Sequence, residues 1–311
     1  MNKCLVTKLN GSVSNTELLR LGEMRVHYDK VSSPSDETQG FNINVANPVV
    51  LEIIGEGYFT DKTLTENKGK TLTLNSGANS IFVSNNELEV AILNKYDLIS
   101  VSGTYTEGSI GTENKSLNIE DLKYSKSLKS IHLSSTKASG DIASLKNITA
   151  LSNINLVDTQ VSGDIASLKN LTALTSIGIS GTQQIPLTGD ISQLSTLSNC
   201  TDIKLGYSKL IGDLAILPSV CRFAAFPNDK GSVFTWSTRP STAKIIAIGG
   251  NASLTNIDKM LQDQAQCQVG FPSSDDAWYK NISVAGNRTS ASDDAVATLQ
   301  QKGYTIRIAK A

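Results

Sequence analysis

The sequence predicts a solenoid of short parallel strands, with a β-rich module ahead of it and a helix-bearing cap behind. Three observations carry this. A phrase recurs as Ser139-Gly140-Asp141-Ile142, Ser162-Gly163-Asp164-Ile165, Thr188-Gly189-Asp190-Ile191 and Ile211-Gly212-Asp213-Leu214, with glycine spacings of 23, 26 and 23 residues. A second set of positions repeats in phase with it: Ile148, Leu151, Ile154, Leu156 and Thr159 return as Leu171, Leu174, Ile177, Ile179 and Thr182, then as Leu197, Cys200, Ile203, Leu205 and Ser208. After residue 219 the rhythm shifts to longer units that carry helical patterns. A fixed period in this range marks stacked coils sharing one core.

Residues 1–100 do not share the repeat. Pro48–Ile54, Ser80–Val83 and Leu88–Leu93 read as strands between polar, Gly/Asn-rich turns. Glu17–Gly22 reads as one short helix or a loop. This is a β-rich N-terminal module, and the first imperfect coils begin near Leu98–Val101.

Residues 101–219 hold the repeats. A weaker early copy has Ser125, Leu128, Ile131, Leu133 and Thr136. In Ile154-Asn155-Leu156 the apolar side chains point the same way, as a strand requires. Stacking such coils makes a parallel sheet on one side, and the other side must close with turns or single helical turns, expected at 144–147 and 167–170. Each glycine permits a turn that a Cβ would hinder, and the aspartate after it can accept a backbone N–H there. The three extra residues of the long copy fall near Gln184-Ile185-Pro186.

The pattern L-x-x-L-x-x-I-x-L-x-x-T resembles the leucine-rich repeat, with Thr where many repeats carry Asn. The Ser-Gly-Asp-Ile segment resembles variants with a G-x-I second half. The resemblance covers roughly 117–219 and implies a leucine-rich-repeat solenoid.

Residues 220–311 form the cap of larger βα units. Lys244–Ile248, Asn281–Val284 and Thr305–Ile308 read as strands. Helices begin at Ile257, with Thr255 or Asn256 as cap, and near Ser292, with serine as cap and Gly303 as stop. Phe223, Phe226, Phe234, Trp236 and Trp278 read as core and cap packing.

Charge is balanced, with 28 basic and 29 acidic residues. That gives no support to a nucleic-acid partner, which would need a basic face. Aromatics make up only 5% of the chain, so no stacking platform for single strands is expected. No run of 18 apolar residues suggests a spanning helix, and Met1–Lys8 lacks the apolar stretch of a secretory signal. Membrane insertion is therefore not expected. Cys4, Cys200, Cys221 and Cys267 show no C-x-x-C spacing and read as buried free thiols.

No catalytic motif appears. The chain has only two histidines, His27 and His132, with no H-E-x-x-H, G-x-S-x-G or P-loop. Gly55-Glu56-Gly57 and Gly249-Gly250 read as turns. Asn147-Ile148-Thr149 and Asn170-Leu171-Thr172 match a glycosylation sequon but share one repeat position, which points to a structural role. The repeat-turn residues Gly140, Asp141, Gly163, Asp164, Gly189, Asp190, Gly212 and Asp213 stack into a column. A cation along the carboxylates is the alternative to each Asp serving its own turn, and the turn reading is preferred. No enzyme activity, cofactor or metal is expected.

The exposed side of the sheet remains. Its outward positions are His132, Asn155, Gly178 and Lys204, flanked by Lys129, Asn153, Ser176, Asp202, Asp158 and Tyr207. The binding candidates are His132, Asn155, Asp158, Lys204 and Tyr207, on a face read as polar and poor in aromatics.

Two further stretches carry a second resemblance. Met1–Val13, continuing to Gly22–Arg25, is similar to the N-termini of structural proteins of phages infecting Bacteroidales, the crAss-like group included. Phe234–Pro240 and Trp278–Val284 look like the C-terminal part of leucine-rich-repeat proteins in the same phages and hosts. The resemblance implies a non-enzymatic virion protein, a head or tail fibre or appendage. Its N-terminal module would dock onto other virion proteins, and its solenoid would project toward a host-surface protein or glycan. The alternatives are a bacterial surface adhesin of the BspA-like group and an intracellular scaffold. No heptad seam supports a coiled coil, and a homo-oligomer stays open.

Overall fold

A computed structural model of the chain describes residues 24–28, 38–45, 47–54, 59–60, 67–69, 71–74, 76–84, 88–92, 98–103, 115–123, 125–181, 184, 186–227, 231–250, 253–271 and 277–310. The expected helix at 17–22, Cys4, the turn at 55–57 and the centre of the 184–186 insertion lie outside them, as does the side chain of Trp278.

The coils stack with strict register. Ile131, Ile154, Ile177, Ile203, Ala224 and Ile248 are successive partners in one parallel sheet. The ladder continues to Ile282 and Ile306. These side chains point inward, and those from 131 to 282 are at most 1% exposed. Full burial of each Leu or Ile stabilises the stack by about 2 kcal/mol before entropy is counted. One coil could not bury its strand alone, so each is stable only between neighbours. The fold is a leucine-rich-repeat solenoid with the parallel sheet on one face.

The opposite side closes in two steps. After each strand the chain crosses to a short second ladder, in which Ser139–Asp141 pairs with Gln160–Ser162, and Leu187–Asp190 with Ser208–Asp213. A 3-10 turn follows at Ile142–Leu145, Ile165–Leu168, Ile191–Thr196 and Leu214–Ile216. The first two turns start two residues earlier than the expected 144–147 and 167–170. The reason is the aspartate, which starts the turn by capping it.

That cap links neighbouring coils. The side chains of Asp141, Asp164, Asp190 and Asp213 each accept from the backbone N–H two residues ahead, at 2.8 to 2.9 Å. Asn118 does the same one coil earlier. The glycine of the following coil lies against the capping oxygen. A methyl group on Gly163 would overlap Asp141 Oδ1, and one on Gly189 would overlap Asp164 Oδ1. These glycines also hold φ between +113° and +122°, a region that L side chains rarely adopt. In the Gly-Asp phrase, Gly makes room for the previous cap and Asp forms the next one.

The N-terminal strands join this stack directly. Thr38–Val45 pairs antiparallel with both Gly77–Ser84 and Leu98–Gly103. Leu98–Gly103 then pairs in parallel with Ser130–His132. One strand therefore belongs to both ladders, and backbone pairing runs across residues 100/101, where the first coils were expected to begin. A second antiparallel sheet runs in the order 115–116, 24–28, 88–92, 49–54, 71–74, drawing Lys115–Ser116 from beyond that boundary.

The C-terminal units seal the stack with polar hubs. Arg239 is 3% exposed and donates to the carbonyls of Ala215, Leu217, Pro218, Cys221 and Lys244. This covers the full donor set of a guanidinium. Gln264 is fully buried in the helix Ile257–Gln266. Its amide accepts from Ile246 N–H and donates to Ile246 C=O, as a neighbouring strand would. Trp236 Nε1 and Arg239 N both donate to Asp263.

Two expected caps are not made by the residues proposed. Asn256 precedes the helix in the left-handed region and its amide donates to Trp236 C=O instead; Thr255 Oγ1 turns to Phe234 C=O. The Ser292 hydroxyl donates to Asp258, and Thr289 caps the short turn before the second helix, Asp293–Gln301. Inter-coil contacts take precedence over local capping at both places. Gly303 does end that helix, at φ +91°, with Gly303 N–H on Gln300 and Tyr304 N–H on Leu299.

Gly163→Ala should destabilise the chain by about 2 kcal/mol or more in chemical denaturation, since it strains φ and displaces the Asp141 cap. Asp164→Ala should cost about 1 kcal/mol, and Asp164→Asn close to nothing, because Asn118 already fills that role. Hydroxyls of Ser292 and Thr289 hold the Asp258 carboxyl below the usual carboxylate range. A depressed folded value gives stability that is complete above the unfolded pKa of about 4. It is lost as pH falls through the folded value. The stability gap between the native chain and Asp258→Asn should therefore narrow below about pH 4.

Candidate functional site: the exposed face of the parallel sheet

Side chains that alternate with the buried ladder form columns on the outside of the sheet. One column runs Ser130, Asn153, Ser176, Asp202, Phe223; the next runs His132, Asn155, Gly178, Lys204, Ala225. The sequence-derived candidates His132, Asn155 and Lys204 thus share one column. His132 Nε2 lies 3.0 Å from Asn155 Nδ2. Lys204 is exposed, with Gly178 and Ala225 as its registered neighbours.

Asp158 and Tyr207 lie where the strands turn away. Both hold positive φ, +56° and +45°, as does Ser135 at the equivalent place in an earlier coil. Asp158 is exposed and Tyr207 half-buried. Tyr207 N–H bonds to Pro227 C=O, and its own C=O accepts from Leu187 N–H. The Tyr207 backbone is therefore held by the coils on both sides.

The structure corrects the aromatic-poor picture of this face. Phe223 packs against the edge of the core, half-buried, and as the registered partner of Asp202 it also borders the outward face. Its ring lies 5.3 Å from that of Tyr279. The Arg222 guanidinium sits 5.0 Å from the centre of Tyr279 and 3.3 Å from Asp202 Oδ2. Thr201 Oγ1 donates to the same oxygen. Asp202 Oδ1 and Arg222 Nε are buried without a hydrogen-bond partner. Arginine and tyrosine are the residue types that dominate protein contacts. Phe226, Phe234 and Trp236 are the true core aromatics, at most 1% exposed.

Sequence could have revealed Phe223. Cys221-Arg222-Phe223-Ala224-Ala225-Phe226 repeats the phase of Cys200-Thr201-Asp202-Ile203-Lys204-Leu205, which puts Phe223 on the outward side. Nothing local marks Tyr279, which arrives from a 3-10 turn at Ala277–Lys280.

The repeat-turn aspartates lie on the other side and spend an oxygen on their own turns. Among the described residues no group of three or more His, Cys, Asp or Glu side chains is placed to hold a metal ion. The thiols of Cys200, Cys221 and Cys267 are buried. Desolvation pushes Cys221 up to about 12 and raises Cys200 further. A thiol held protonated is a poor nucleophile. No helix among the described residues is long and apolar enough to cross a membrane.

No protein-family model matches the chain, and no curated protein matches it. Among solved structures it is similar to the BIR2 ectodomain from Arabidopsis thaliana, at 24% identity over 42% of this chain and 68% of that one, with a TM-score of 0.32. Internalin C2 from Listeria monocytogenes is similar at 12% identity over 70% and 84%, with a TM-score of 0.37. The Arabidopsis receptor kinase HAESA, solved with the peptide hormone IDA and the co-receptor SERK1, is similar at 19% identity, TM-score 0.34; the chain spans 31% of it. The fold assignment rests on register and repeat.

Two neighbouring positions on this face should separate in stability measurements. Arg222→Ala leaves the Asp202 carboxylate without its cation and should cost about 1 kcal/mol. Lys204→Ala, at an exposed position outside the packing, should stay within about 0.5 kcal/mol. Denaturant midpoints of the two variants check this.

Proposed function

We propose that the chain is a non-enzymatic scaffold for protein–protein interaction and that it binds through the exposed face of the parallel sheet. One observation carries this reading. The inward side of every coil is sealed, while the outward side presents aligned polar groups ending in the Arg222–Phe223–Tyr279 cluster. Such a surface contacts a partner over several coils at once. The candidates His132, Asn155, Asp158, Lys204 and Tyr207 are read as contact residues on it.

The setting we favour is a phage particle, with the chain as a head or tail fibre or appendage. Support comes from the sequence resemblance of Met1–Val13 and of Phe234–Pro240. In this reading the N-terminal module docks onto other virion proteins, and the solenoid meets a host-surface protein or glycan. A bacterial surface adhesin is the alternative.

Quantitative mass spectrometry of gradient-purified particles, beside host membrane and cytosolic fractions, tests the setting. Stoichiometric presence in particles is expected. Absence there with enrichment in the outer membrane overturns the virion reading in favour of the adhesin. For the surface, a photo-crosslinking residue at position 155 should capture a protein that one at position 146, on the opposite side, does not. Equal capture from both positions overturns the assignment of the face.

A further inference from the structure

The last strand of the sheet, Thr305–Ala309, has one neighbour. It pairs in parallel with Asn281–Ala285, and among the described residues no strand pairs with its other side. Ala309 C=O accepts from Gly286 N–H. Backbone groups alternate in direction along a strand, so Thr305, Arg307 and Ala309 bond to the preceding strand. The N–H and C=O groups of Ile306 and Ile308 therefore point to the open edge. Their side chains pack against the core yet stay half-buried, whereas their registered partners Ile282 and Val284 are at most 1% exposed.

Arg307 stands between these two isoleucines on the outward side of the strand. It is exposed, its registered neighbour is Ser283, and among the described residues no carboxylate pairs with it. An unpaired sheet edge is a template for another strand. A second copy of this chain fits the edge poorly. Two-fold antiparallel pairing centred on Arg307 would set two guanidiniums opposite each other, which is unfavourable. Centred on Ile308, it would set Lys310 against Ile306 on the core side. Centred on Ile306, it would bring Ile308 against Tyr304, which is already buried beside Phe271 and bonded to Gly270 N–H.

We propose that Thr305–Ala309 receives an extended segment of a protein partner as the next strand of the sheet, and that this segment places Asp or Glu opposite Arg307, between two aliphatic residues. Ile306 and Ile308 supply the backbone pairing that holds the segment. The aliphatic side chains, one strand spacing of about 4.8 Å away, cover Ile306 and Ile308 on the core side. The acid pairs with Arg307 on the outward side. This edge is a second binding surface, separate from the sheet face of the scaffold reading.

The test selects short linear peptides from a random displayed library against the full chain and maps the binders by hydrogen exchange. Recovered peptides should alternate aliphatic residues around an Asp or Glu, and should slow exchange of the Ile306 and Ile308 amides. Arg307→Glu, a change at an exposed site, should weaken these peptides about fivefold or more, and a lysine in place of their acid should restore binding to that variant. Ile308→Pro removes an N–H from the open edge alone and should abolish binding. If proline disturbs the strand, the charge swap at Arg307 still decides the matter. Binders that leave both amides unprotected, or ignore the charge swap, overturn the inference, as does a selection that yields no binder at the edge. Self-association of the chain that protects the same amides also overturns it and assigns the edge to a second copy. The photo-crosslinking comparison at position 155 tests the sheet face separately, so the two readings fail independently.

Discussion

The contact between one coil's aspartate and the next coil's glycine sets the geometry of the whole stack. The carboxylate fixes where each 3-10 turn begins, and therefore where the following Leu and Ile fall. The glycine fixes how closely the next coil can approach. Neither residue works without the other: a side chain at the glycine pushes the cap away, and an uncapped turn loses its starting point. The same geometry recurs at Asn118–Gly140, Asp141–Gly163, Asp164–Gly189 and Asp190–Gly212. Repetition at constant pitch turns a local hydrogen bond into a straight ladder of Ile131, Ile154, Ile177 and Ile203. That ladder holds the outward columns at strand spacing.

This division of labour explains why one face is free for contact. Packing uses the inward ladder, capping uses the aspartates on the far side, and backbone pairing uses the strand edges. Hydroxyls add staples between coils, as where Thr175 Oγ1 donates to Ser152 C=O and Ser152 Oγ to Lys129 C=O. The side chains of Asn155, Asp158 and Lys204 are left with few structural duties. Stability thus rests mainly on residues other than those of the outward face.

The repeat was legible because its signals are local and in phase. Period, glycine position, alternation in Ile154-Asn155-Leu156 and the buried site of Cys200 follow from spacing alone. The single-turn helices were legible in kind and misplaced by two residues, since the cap that starts them was read only as a turn residue. The helix caps in the last third were not legible. Asn256 and Ser292 have the right chemistry for capping, but their side chains bond to other coils, and no local rule sees those partners. The continuity of the first module with the repeats was equally hidden, because Thr38–Val45 and Leu98–Gly103 meet across a long sequence distance. Phe223 does pack against the core, but from the outward register position, which was not read. Aromatic residues in an apolar region were grouped by composition, although the phase set by Cys200 and Cys221 already placed it outside.

Arg239 shows what happens when the repeat ends. A regular coil leaves few carbonyls unsatisfied, because its 3-10 turn and the neighbouring strands consume them. After Asp213 the turn is cut short at Ile216, and Pro218 follows, which has no N–H to give. Pro218 and Ser219 C=O accept from Cys221 and Lys244 N–H, but Ala215, Leu217 and Cys221 C=O take the guanidinium, and a buried carbonyl without a donor costs about one to several kcal/mol. A single guanidinium removes that cost at one point. It does so without a paired carboxylate on its side chain, since four of its five bonds go to this one turn and the fifth to Lys244 of the next. Burial lowers the guanidinium's pKa, yet arginine stays charged throughout the accessible range. Lysine could not substitute, because a three-donor point charge cannot span five carbonyls in a plane. The stretch Phe234–Pro240 therefore has a structural role. Phe234 and Trp236 fill the core where the coils widen, Arg239 satisfies the broken turn, and the helix is pinned there through Asp263. Conversion from short coils to helix-bearing units needs all of these at once, and they occupy one continuous stretch of chain.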